Sequence, residues 1–188
     1  MRKIDTFCGS IIDCPTTVII NAANSKLALG SGVSGAIRDA CGGKEFQNEC
    51  FVAVEEQADG NMDLGGVVLT SGGTSRYRWI IHAATLDFSK GQYTSKEVVK
   101  KCMLNALKTA DEVVEDNNLG ELGIGVPLLG SDVGGLSVAE SCESLCAGLK
   151  AFFRGNPDSL INGIAFVHPE EDVVRQVQLI LDRHFVLR

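Results

Sequence analysis

The sequence has no apolar run approaching the roughly 18 residues that a membrane-spanning helix needs, so no such helix is expected. Its first ten residues, MRKIDTFCGS, alternate polar and apolar side chains. A secretory leader needs a continuous apolar core, so the expected location is the cytoplasm. Positive charge is scarce: 17 Lys and Arg against 24 Asp and Glu give a net charge of −7. That is the opposite of the basic footprint by which proteins hold nucleic acid. Arg76 and Arg78 flank Tyr77 and read better as a solvated turn entering a strand than as a basic patch.

Metal-ligand spacing is missing too. None of the seven cysteines forms a CxxC pair, and His82, His168 and His184 do not sit at zinc-finger intervals. No metal site is expected. Without a leader, an odd thiol count reads as reduced, buried cysteines, the exception being the disulfide-rich proteins of hyperthermophiles. Cys142 and Cys146, four apart on an expected helix, share one face as small core residues. The sequence also lacks GxxxxGK[ST]. No cofactor is implied.

What is present is ordinary globular composition, 45% hydrophobic and 22% charged over 188 residues. One domain spanning 1–188 is expected. Strand and helix patterns alternate. Strands are predicted at Lys3–Phe7, Thr16–Ile20, Gly66–Thr70, Trp79–Ala83, Leu122–Pro127 and Leu160–Val167. Helices are predicted at Val33–Cys41, Lys44–Gln57, Ser95–Asn117, Ser137–Phe153 and from Pro169 to about Phe185. Ser137 and Glu140 have the spacing of a capping box. Alternation of this kind implies a mainly parallel or mixed sheet covered on both faces.

Ligands of such sheets bind at the carboxyl ends of the strands. Two glycine-rich segments fall there: Asn21–Gly42 after the strand ending at Ile20, and Pro127–Ser137 after the strand ending at Val126. Each leads into a helix whose first turn offers free N–H groups and a positive dipole end, which suits phosphate. Asn21 and Asn24 are uncharged donors and acceptors suited to ribose hydroxyls. These residue types read as a diphosphate cradle with sugar contacts.

The string VIINAANSKLALGSGVSGAIRDACG resembles the first signature of the macro domain family, and PLLGSDVGG resembles its other phosphate loop. RWIIHAAT and GGVVLTSGG resemble the family's middle strands, and the likeness runs in order from about Ile4 to the last helix. The resemblance implies a three-layer α/β/α sandwich around a mixed, mostly parallel sheet. It also implies binding of ADP-ribose or a close derivative. Some members hydrolyse ADP-ribosyl esters on proteins, O-acetyl-ADP-ribose or ADP-ribose-1″-phosphate.

By position in the motifs, Asn24 would contact the distal ribose and is the catalytic candidate. Gly30, Ser31, Gly32 and Val33 would form the first diphosphate loop, with Gly130, Ser131, Asp132, Val133 and Gly134 forming the second. Phe166 would stack on adenine, its other reading being a core residue. Ser10 stands where many members have an adenine-binding aspartate, leaving a hydroxyl or the backbone near Ile11 for that task.

Ser34 and Arg38 replace the aspartate and histidine of one catalytic subclass. Asp132 stands where the family usually has a small residue, and Gly134 replaces an aromatic beside the distal ribose. Three readings stay open: a modest hydrolase of ADP-ribose derivatives, a non-catalytic ADP-ribose reader, and a diverged nucleotide binder. The expected partners are ADP-ribose or a related small molecule, and ADP-ribosylated protein. Neither membrane nor nucleic acid is expected. A cysteine nucleophile at Cys8 or Cys14 is a weak alternative, because no histidine is placed by sequence to activate it.

Overall fold

The computed structural model describes residues 2–91, 93–117 and 122–185. Six strands, β1 (Lys3–Cys8), β2 (Val18–Asn24), β3 (Val67–Ser71), β4 (Trp79–Leu86), β5 (Leu122–Pro127) and β6 (Ile161–His168), form one sheet in the order β1-β6-β5-β2-β4-β3. All neighbours run parallel except β3, which is antiparallel to β4. The mixed, mostly parallel sheet is the expected one.

Helices cover both faces. α1 (Gly32–Cys41) and α2 (Lys44–Ala58) lie on one side, with α3 (Lys96–Asp116), α4 (Val138–Gly155) and α5 (Glu171–His184) on the other. Strand alternation sorts the core between the two faces. On β2, Val18 and Ile20 pack toward α3 and α4, while Ile19 packs toward α1 and α2. α3 is helical because Val99, Cys102, Met103, Ala106, Leu107 and Ala110 make one buried stripe near the 3.6 period. Its N-cap Ser95 accepts a hydrogen bond from the Val98 amide. α4 begins at the capping box read from the sequence, with Ser137 and Glu140 satisfying each other's backbone amides. At Gly148 an added Cβ would lie 2.6 Å from the Lys100 carbonyl, so glycine there lets α4 approach α3 closely.

The outer edge at β3 is sealed by side chains of α2. Gln57 donates to the Leu69 carbonyl and accepts from its amide, and Glu49 accepts from the Ser71 amide. That leaves less free backbone for another strand to pair with.

Two strands run further than expected. β2 begins at Val18 instead of Thr16 and continues through Asn24, because Asn21, Ala22, Ala23 and Asn24 pair with His82, Ala83, Ala84 and Leu86 of β4. The asparagines therefore stand in a strand, not in a loop after it. β4 likewise runs on to Leu86. Among the described residues, no helix is long and apolar enough to cross a membrane, and all seven cysteines are free, six of them buried.

Candidate functional site

A cleft of about 620 Å³ opens at the carboxyl ends of the strands. Its floor and walls come from the residues that follow or end β1, β2, β4, β5 and β6, together with the first turn of α1. Ser10 and Ile11 line it beside β1, and Val167, His168, Pro169 and Glu170 line it beside β6. Ser31, Gly32, Val33 and Ser34 face Gly130, Ser131, Asp132, Val133 and Gly134 across the middle. Ala22, Ala36, Thr85 and Leu86 close the end over β2 and β4.

The first loop is braced from behind. Arg38 donates to the Leu29 carbonyl at 2.9 Å and to that of Gly30 at 3.4 Å. Gln47 accepts from the Leu29 amide at 2.7 Å and donates to the Leu27 carbonyl at 2.9 Å. With the carbonyls held back, the N–H groups at the start of α1 are left toward the cleft. Ser31, the N-cap, makes no side-chain capping bond, so the amides of Gly32, Val33 and Ser34 are unsatisfied donors of a helix N-terminus. Gly32 has φ +60°, a conformation that glycine adopts without strain. At Gly35 an added Cβ would stand 2.6 Å from the Gly30 carbonyl, so the loop folds tightly onto its own helix.

The second loop is pinned in a similar way. Ser131 Oγ donates to the Leu128 carbonyl and Ser141 Oγ to that of Leu129, each at 2.8 Å. The Leu136 amide donates to the Gly130 carbonyl. The amides of Asp132, Val133 and Gly134 make no protein hydrogen bond among the described residues. Thr94 packs against the loop: a Cβ at Gly134 would meet Thr94 Cγ2 at 2.6 Å and the Gly130 carbonyl at 2.5 Å.

The helix after this loop departs from expectation. The capping box uses the amides of Ser137 and Glu140 at the start of α4, and Lys96 pairs with Glu140 at 3.0 Å. Hydrogen bonds from the Ser137 backbone, then Lys96, pull the Glu140 carboxyl down to about 2. The start of α4 therefore already carries its own anion. Of the two glycine-rich loops, the first alone leads into a helix whose N-terminus is open to the cleft; α5 also starts there, uncapped at Glu170 but with Glu171 and Asp172 in its first turn.

Three expected site residues are placed differently. Phe166 is 1% exposed and belongs to the core under α3 to α5. The two-residue period of β6 turns its neighbour Val167 toward the cleft side, so Val167 and Pro169 stand where an adenine platform was expected. Asn21 is wholly buried: its Nδ2 lies 3.0 Å from His82 Nδ1, and its Oδ1 accepts from Ser34 Oγ at 2.9 Å. It holds the Ser34 hydroxyl and is not among the residues that line the cleft. Asn24 does not line the cleft, since Nδ2 donates to the Ala28 carbonyl and Oδ1 accepts from the Lys26 and Ala28 amides. Its amide is used in closing the turn that follows β2.

The structure also shows residues that the sequence reading passed over. Thr85, Leu86, Pro127, Val167, His168 and Glu170 all stand at or just past strand ends, the rule that identified the two loops. His82, which the sequence offers as a structural histidine at a strand end, is one. Burial holds its imidazole down at about 3, so it is neutral. Because Asn21 Nδ2 donates to Nδ1, the proton sits on Nε2 and is given to Thr70 Oγ1 at 2.9 Å. Cys14, by contrast, is buried with its thiol pushed up by desolvation, which opposes thiolate chemistry there.

Electrostatically the cleft is unusual for an anion site. Its lining carries two carboxylates, Asp132 and Glu170, and neither lysine nor arginine among the described residues. The positive groups that the lining offers are backbone amides and the α1 dipole.

Comparison with known proteins agrees with this geometry. The family model described as Macro domain matches residues 20–145. The chain is 36% identical over 111 residues to a macro domain-containing protein of Caldanaerobacter subterraneus subsp. tengcongensis, an alignment covering 59% of this chain and 62% of that protein. It is 32% identical over 111 residues to O-acetyl-ADP-ribose deacetylase 1 of Pantoea vagans, covering 59% and 63%. These alignments take in less than two thirds of either relative. Among solved structures, a glycine-to-valine mutant macrodomain of Oceanobacillus iheyensis, solved with ADP-ribose, superposes with a TM-score of 0.77 at 27% identity, covering 96% of this chain and 91% of that one.

Proposed function

The chain belongs to the macro domain family, and from that premise we propose that its cleft binds ADP-ribose or a close derivative. The observation that carries this reading is the pairing of two amide-bearing segments across one gap. The open N-terminus of α1 (Gly32, Val33, Ser34) faces the unbonded amides of Asp132, Val133 and Gly134. A diphosphate has acceptor oxygens on both phosphorus atoms, and two opposed rows of N–H groups serve them from both sides. Adenosine then lies over β1 and β6, beside Ser10, Ile11, Val167 and Pro169. The Ser10 hydroxyl makes no hydrogen bond to the protein among the described residues and is free to accept from the base. The terminal ribose lies over β2 and β4, next to Ser34, Thr85 and Leu86.

Binding is better supported than turnover. Attack by water at an anomeric carbon or an acyl ester needs a group that orients the water. Asn24 spends its amide on its own turn, and Ser34 has its hydroxyl proton directed inward to Asn21 or Ala22. Ser34 Oγ can still accept from a water, which fits slow hydrolysis and the deacetylase name of the Pantoea vagans relative. ADP-ribosylated protein is the natural macromolecular partner of such a cleft. Titration calorimetry with ADP-ribose tests the binding: saturable heat at micromolar ligand is expected, and none at millimolar ligand refutes it. Release of ADP-ribose from a modified protein, measured against buffer alone, tests turnover.

A further inference from the structure

Resting on the ADP-ribose reading of the cleft, we propose that Asp132 makes it a charge filter. It favours ligands whose terminal ribose is free or acylated over ligands whose terminal ribose carries a further phosphate.

Three observations combine. First, the supply of anion donors is limited. The amides of Gly32, Val33, Ser34, Asp132, Val133 and Gly134 are grouped around the middle of the cleft, which suits one diphosphate. Two other α-helix N-termini border the cleft: that of α4 is occupied by Glu140, and that of α5 lies at the β6 end with Glu171 and Asp172 in its own first turn.

Second, no cation is at hand to receive another phosphate. Among the described residues the lining has no Lys or Arg, and nearby basic groups are engaged elsewhere. Arg38 holds the Leu29 carbonyl and pairs with Asp39, Lys90 pairs with Asp87, and Lys96 pairs with Glu140.

Third, Asp132 is exposed, belongs to no ion pair among the described residues, and reaches over the gap. Its Oδ2 lies 3.9 Å from where a Cβ at Gly32 would stand. Its charge therefore faces the first diphosphate loop with no counterion. The diphosphate tolerates this because six amides and the α1 dipole oppose it. A phosphomonoester on the terminal ribose would have no such compensation. It would lie over β2 and β4 among Ala22, Ala36, Thr85 and Leu86, in the cleft that Asp132 also lines. A small acyl group meets apolar side chains there and adds no charge. Like charges a few ångströms apart near a surface lower affinity by about fivefold or more, and salt weakens the effect.

The test titrates the wild-type chain, Asp132→Asn and Glu170→Gln with ADP-ribose and with ADP-ribose-1″-phosphate, at low salt and at about 0.5 M salt. The wild type is expected to prefer ADP-ribose by about fivefold at low salt. Asp132→Asn narrows that ratio by about threefold or more, chiefly by improving the phosphorylated ligand, and salt narrows it only where Asp132 is kept, in the wild type and in Glu170→Gln. Glu170→Gln, at the β6 end, leaves the ratio unchanged. Equal ratios for the wild type and Asp132→Asn, or tighter wild-type binding of the phosphorylated ligand, would overturn the filter while ADP-ribose binding stands. Absence of heat with both ligands would overturn the ADP-ribose reading itself, and the filter with it.

Discussion

The Ser34 hydroxyl lies 2.9 Å from Asn21 Oδ1 and 2.9 Å from the Ala22 carbonyl. The residue that α1 turns toward the cleft is thus held from beneath by the strand below it. The hold extends inward, because Asn21 Nδ2 donates to neutral His82, which donates to Thr70. Every member has a defined donor or acceptor role, and the position of Ser34 is wired for a group that can donate.

Ser34→Asp therefore does not restore the catalysis of relatives with an acid there. Its carboxylate would face two acceptors, Asn21 Oδ1 and the Ala22 carbonyl, and would leave Asn21 without its donor. Urea unfolding should show a loss of about 1–3 kcal/mol, with no rise in release of ADP-ribose from a modified protein. Faster turnover at unchanged stability would contradict the wiring.

His82 should make stability depend on pH. Its folded pKa, about 3, lies below the ordinary value of 6.5 because the ring is fully buried. Between those values the unfolded chain binds a proton that the native chain does not. Stability is therefore retained above about pH 6.5 and lost as pH falls, with a slope of up to about 1.4 kcal/mol per pH unit from this group. Denaturant melts between pH 5 and 7 measure it, above the range where carboxylates dominate. His82→Gln should lower stability throughout and flatten that slope.

Gly35 and Gly30 make a matched pair. A Cβ at Gly35 would stand 2.6 Å from the Gly30 carbonyl, whereas one at Gly30 has nothing within 4 Å. Gly35→Ala should cost about 1–3 kcal/mol and weaken ADP-ribose binding about tenfold by displacing α1 from the first loop. Gly30→Ala should change stability by less than about 1 kcal/mol. Thermal melts and calorimetry on both variants check the contrast.

Gln47→Leu removes the acceptor of the Leu29 amide and the donor to the Leu27 carbonyl. Exchange of the Leu29 amide hydrogen should accelerate at least about tenfold while core strands remain protected. ADP-ribose affinity should fall several-fold, since a looser loop must be ordered on binding.

The sheet, its helices and the two loops were legible because periodicity and glycine placement act locally. Ser137 and Glu140 announced a helix start and formed one. Phe166 was not legible: one residue of strand register decides which face an aromatic takes, and β6 gives the cleft to Val167. Asn21 and Asn24 showed their chemistry but not their partners. The partner of Asn21 is His82, 61 positions away, and that of Asn24 is its own turn. His82 read as an ordinary strand residue because its role exists only through the parallel pairing of β2 with β4. Asp132 stood out by its charge, yet its reach toward Gly32 depends on how two distant loops meet.

The account turns on six backbone amides facing one ligand. Backbone NMR of the labelled chain during titration with ADP-ribose tests that most directly. The account predicts the largest shifts at Gly32, Val33, Ser34, Asp132, Val133 and Gly134, with Glu140 and its neighbours in α4 nearly still. Saturable binding that leaves those six amides unmoved and shifts another surface would contradict it.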